Sequence, residues 1–145
     1  MKSYTDIEQS KKLAEILPAE SADMCWGRDD DTIEYDDKPY LNPYKDYTAK
    51  EYYIPCWSLA ALLDLLPKHI KQDDKRIYRF HIVNDDGIVI QRWECSYVTK
   101  DYHNRAEYLS DPNLKYPTNI YSGKYEDILN AAFEMILKLH EQNVL

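Results

Sequence analysis

Glycine is scarce here: Gly27, Gly87 and Gly123 are the whole supply in 145 residues. A glycine-rich loop that cradles phosphate through its backbone is therefore excluded, in its nucleotide-binding and dinucleotide-binding forms alike. Cysteine is equally rare. Cys25, Cys56 and Cys95 leave one thiol over in any disulfide scheme, and none stands in a CxxC pair. No HExxH and no histidine pair at i, i+4 supplies metal ligands. The Asp29-Asp30-Asp31 run carries Glu34 and Tyr40 where a calcium loop needs glycine and glutamate, so it reads as a solvated acidic loop. No stretch reaches the ~18 apolar residues of a membrane span. The opening MKSYTDIEQSKK lacks the apolar run of a secretory signal. The expectation is a cytoplasmic protein with reduced thiols, without metal, cofactor or membrane association.

Positive charge is also short. Eighteen Lys and Arg against 26 Asp and Glu leave a net charge of −8, which argues against nucleic acid as a partner. The most basic stretch (Lys68, Lys71, Lys75, Arg76, Arg79) is interrupted by Asp73 and Asp74 and reads as a solvated strand entry. Tyrosine, by contrast, is abundant, at 14 against two phenylalanines. Its ring carries apolar area and its hydroxyl needs a partner, which suits boundary layers and contact surfaces.

The periodicity predicts an α+β domain over residues 1–145: three main helices on a small antiparallel sheet built around a hairpin at 77–98. Thr5 and Glu8 have capping-box spacing for a first helix over 6–17, with Ile7, Ser10, Leu13, Ala14 and Leu17 on its stripe and Pro18 ending it. Residues 19–26 suggest a further turn before Trp26 enters the core. A second helix over 57–66 places Leu59, Leu62, Leu63 and Leu66 on one face. Tyr78, Phe80 and Ile82 then alternate along a strand. Asn84-Asp85-Asp86-Gly87 is a turn, and Val89, Trp93, Cys95 and Tyr97 share one side of the return. A short strand is expected near 119–121. A last helix over 125–141 carries Tyr125, Ile128, Leu129, Ala132, Met135, Ile136 and Leu139 on its apolar stripe, with Lys138 and His140 at its negative end.

Residues 27–53 read as one irregular segment with a possible edge strand at 32–35. It combines Asp29–Asp31, Glu34, Asp36, Asp37, Asp46 and Glu51 with six tyrosines from Tyr35 to Tyr53. Tyrosine loses little entropy on immobilisation, so Tyr40, Tyr44 and Tyr47 are the candidate binding residues, for an unknown protein partner. The competing role is cover for a sheet edge. No catalytic residue stands out. Cysteine beside tryptophan, as at Cys25-Trp26 and Cys56-Trp57, is what a buried core also produces. His81 and His103 have no local catalytic context.

The blocks TDIEQSKKLAEI, SADMCW, PCWSLAALLDLLP and NAAFEMILKLHE, in this order, resemble a group of short uncharacterised proteins of Bacteroides-type gut bacteria, often encoded in prophages or mobile elements. The resemblance implies a phage-related setting and an α+β fold, and carries no activity. The functional expectation is a small non-enzymatic protein-binding or adaptor module. The alternatives are a hydrolase or thiol enzyme with a loop-assembled site, and an acidic DNA mimic.

Overall fold

The computed structural model describes residues 1–28, 33–41, 52–71, 77–86, 91–99 and 120–145. These form an α+β fold, with three α-helices and two antiparallel sheets among the described residues. They gather into two compact units, Met1–Leu65 and Leu66–Leu145.

In the first unit, helix α1 (Ile7–Ile16) starts one residue later than the Thr5–Glu8 spacing suggests. Asp6 is the N-cap, accepting from the Gln9 amide at 2.9 Å, while the Gln9 side chain accepts from the Asp6 amide at 3.2 Å. Thr5 is instead fully buried. Its amide donates to the Trp57 carbonyl (2.9 Å), and its hydroxyl accepts from the Trp57 amide (3.1 Å) and meets Ser10 Oγ at 2.8 Å. With Cys56 Sγ at 3.6 Å as a third partner, this hydroxyl is committed to groups outside the helix and is not free to cap it. Leu13 and Ser10 face inward as read, whereas Ala14 is exposed.

After a 3-10 turn at Ala19–Ser21, the chain enters strand β1 (Met24–Gly27), the centre of a sheet with order β2-β1-β3. Strand β2 is Tyr40–Leu41 and β3 is Tyr53–Cys56. This second sheet is absent from the sequence expectations: Ile33–Tyr35 are not a strand, and the pairing falls on Tyr40 instead. Pro55 is tolerated because β3 is an edge, where a missing N–H costs no ladder bond. Helix α2 (Leu59–Leu65) begins at Ser58, whose hydroxyl accepts from Ala61 N at 3.2 Å and whose amide donates to Asp23 at 2.8 Å. Of its expected four-leucine face, Leu62 is fully buried while Leu59 and Leu63 are half-buried. With seven residues the helix turns only about twice, too short to bury a full stripe.

In the second unit the sheet order is β4-β5-β6-β7, with β4 at His69–Lys71, β5 at Ile77–Asp86, β6 at Gln91–Thr99 and β7 at Ile120–Tyr121. The hairpin strands are paired, but Asn84, Asp85 and Asp86, expected in the turn, are strand residues opposite Trp93, Arg92 and Gln91; Gly87 lies outside the described residues. Ile70, Tyr78, Cys95, Tyr97 and Ile120 form the buried face. Phe80 and Trp93, on the same strand sides as Tyr78 and Cys95, are half-buried, and Ile82 is exposed. Between β6 and Tyr125 the register slips by one residue, a bulge at which Gly123 takes φ +105°. Helix α3 (Ile128–Glu141) lies against β6 and β7, capped by Asp127, which accepts from Leu129 N at 2.9 Å. It buries eight residues, Leu129, Met135, Ile136 and Leu139 completely. Asn143 at φ 55° ends it.

Candidate functional site

Alternation along β1 gives its sheet two faces of different chemistry. Trp26, Ile54 and Cys56 form one, buried with Tyr4, Ile7, Met24 and Tyr35 packed against them. Cys25, Gly27, Tyr40, Tyr53 and Pro55 form the other, as the pairs Cys25↔Tyr40, Cys25↔Pro55 and Gly27↔Tyr53 require.

Tyr40, the one sequence-selected binding residue within the described part, stands on this second face; Tyr44 and Tyr47 lie outside the described residues. The Tyr40 ring crosses over Gly27, so closely that a Cβ there would meet Tyr40 Oη at 2.7 Å and Cε1 at 2.8 Å. Glycine in a strand interior packs nothing of its own, and a cross-strand aromatic restores the lost contact. The Tyr40 hydroxyl is thereby turned toward Cys25 and Tyr53; burial of that end, with Cys25 beside it, pushes the phenol above its ordinary range. The rest of the ring stays 42% exposed, and Tyr53 beside it 38%. A third aromatic group lies at the strand end, where the Arg28 guanidinium sits 5.7 Å from the Tyr35 ring and 5.6 Å from that of Tyr52.

Sequence reasoning selected Tyr40 from its surrounding composition and overlooked Tyr53 and Gly27. A lone glycine after Cys-Trp, in a chain with so few, was the available signal that some ring must cover it.

The three thiols are held back from nucleophilic chemistry. Burial raises Cys25, against a hydrogen bond from Tyr40. It pushes Cys56 up to about 11, against hydrogen bonds from Thr5 and Ser10. Cys95 rises to about 12, through burial and then the Glu94 carboxylate. Each is protonated near neutral pH, and a thiolate is the form that attacks. Among the described residues no group of three or more His, Cys, Asp and Glu is placed to hold a metal ion. No helix among them is long and apolar enough to cross a membrane.

Two open depressions mark the first unit. One of about 460 Å³ is floored by Ala22, Ala60 and Ala61 and rimmed by Glu20, Asp23 and Asp64. The other, about 370 Å³, lies between Lys2, Tyr4, Trp26 and Asp37. Neither is lined by a histidine or a cysteine. Comparison with protein-family models, curated proteins and solved structures finds no match.

Proposed function

We propose that this chain is a small non-enzymatic module that captures a protein partner, in a phage-related setting, through the tyrosine face of its Met1–Leu65 unit. The observation that carries the reading is the pair Tyr40–Tyr53: two half-exposed rings on one sheet face, the first seated over Gly27 and the second paired with it by register. Rings already fixed lose little further freedom on binding, and their exposed area is what a partner would bury. Protonated, buried thiols favour the binding module over the thiol enzyme. The phage-related setting rests on the resemblance of the sequence blocks alone.

The test replaces Tyr40, Tyr44 and Tyr47 by serine, and separately Tyr40 and Tyr53, and asks which proteins the chain retains from its native host's lysate. Specific capture should be lost while the melting temperature stays nearly unchanged. A large fall in melting temperature would assign these rings to the fold and remove the binding role.

A further inference from the structure

The net charge of −8 is unevenly distributed. Residues 1–65 hold seven Lys and Arg against 14 Asp and Glu, whereas residues 66–145 hold eleven against twelve. Within the second unit two of these cations, Lys71 and Arg79, share one surface with His69 and His81. The β4–β5 register sets His69 directly opposite Arg79 and Lys71 opposite Ile77, and His81 follows two residues on from Arg79. All four basic side chains are exposed, on the sheet face opposite that of Tyr78 and Tyr97. Opposed side chains in such a pair stand roughly 5 Å apart, so the four form one cluster. Among the described residues none of the four is in an ion pair. On β6, Glu94 is half-buried opposite Val83 and diagonal to His81, and Arg92 is paired by register with Asp85. Ile77 (56% exposed) and Val83 (45%) add apolar area beside the cations.

We propose that this β4–β5 face docks an extended acidic protein segment in which carboxylates alternate with aliphatic side chains. The carboxylates meet Arg79, Lys71 and the imidazoles, while the aliphatic groups cover Ile77 and Val83. Charge complementarity selects an anionic occupant. Three features select a peptide over a nucleic acid. A short acidic segment needs only the local cluster, whereas a long polyanion also meets the repulsion of a chain whose net charge is −8. The apolar groups of this face on β5 are aliphatic and offer no platform for base stacking. Tyr121, the exposed ring on β7, already carries the Lys138 ammonium 5.0 Å from its centroid. The inference is independent of the tyrosine face.

The test is fluorescence anisotropy on the full chain, with a labelled peptide of alternating Glu and Val as probe and an oligouridylate of equal charge as competitor. The peptide should bind at low salt and be released near 1 M salt, where the screening length falls to about 3 Å. Arg79→Glu and Lys71→Glu, each melting like the parent, should weaken binding about tenfold or more, since reversing a charge turns an attraction into a repulsion. Tyr40→Ser should leave this binding unchanged, which separates its failure from that of the tyrosine reading. Absence of peptide binding at low salt overturns the proposal, as does equal binding by both charge-reversed variants. Tighter binding of the oligouridylate overturns it in favour of a nucleic-acid surface.

Discussion

The Met1–Leu65 unit sets a buried polar hub beside the apolar inner face of its sheet, whereas the sheet of Leu66–Leu145 is closed by a helix with an apolar stripe. In the first, Thr5 and Ser10 are fully buried and hydrogen-bonded to each other, and the Thr5 carbonyl accepts from Trp26 Nε1 (3.2 Å) and Cys56 Sγ (3.4 Å). In the second, α3 contributes Leu129, Met135, Ile136 and Leu139, all without exposure. A polar hub depends on every partner being present, since a buried donor left alone costs more than the bond gained. Apolar closure depends on filled volume and degrades with each methylene removed. The two units should therefore respond differently to substitution.

The largest effects are expected at the fully buried aliphatic side chains of either unit. Leu129→Ala or Ile136→Ala should cost ~2–5 kcal/mol in urea denaturation. A loss near zero would mean that α3 does not close its sheet. Leu62→Ala should fall in the same range, and Leu63→Ala below it, because Leu63 is half-buried. Equal losses would restore the four-leucine face.

In the first unit, Thr5→Val keeps the shape but removes the hydroxyl that serves Ser10 and Trp57. The expected cost is ~1–3 kcal/mol, where a purely volume-driven core would register almost nothing. Asp6→Ala should cost ~0.5–2 kcal/mol through the lost cap. Burial raises the Asp6 carboxyl, but the Gln9 and Lys2 contacts outweigh this and hold it below the ordinary value. A lowered folded value means stability present at neutral pH and lost as pH falls through the acidic range. The Asp6→Ala variant should accordingly lose less stability on acidification than the parent.

The smallest effect on stability is expected at Gly27→Ala, within ~1 kcal/mol. Alanine is the better strand residue, yet its Cβ must displace the Tyr40 ring. If Tyr40 and Tyr53 form the contact surface, this variant should lose partner capture while retaining both tyrosines. Thiol labelling of the native protein at pH 7 should be slow at all three cysteines. One fast-reacting cysteine would revive the enzyme reading.

Local and periodic signals were legible from residue order. The apolar spacing of 128–139, the alternation of 77–83 and 93–97, and Pro18 after the first helix each depend on neighbours within a turn or a strand. They led to the α+β class and to the hairpin. The exact turn was not legible, because Asn84-Asp85-Asp86-Gly87 has turn composition wherever the ladder stops. Tyr40 was reached through composition, but its seat over Gly27 was not, because 12 residues of sequence separate a ring from the glycine it covers.

Residue order thus determined the elements whose stabilising contacts are repeated along one segment: α1, the hairpin and α3. Tertiary structure decided the rest. Thr5 became a buried hub instead of a cap because Trp57 lies beside it across 52 residues of chain. Met24–Gly27 became a central strand because two distant segments pair with it, one on each edge. In both cases the deciding energy is that of hydrogen bonds and burial between segments that carry no local pattern, and such energy exists only once the chain has brought them together.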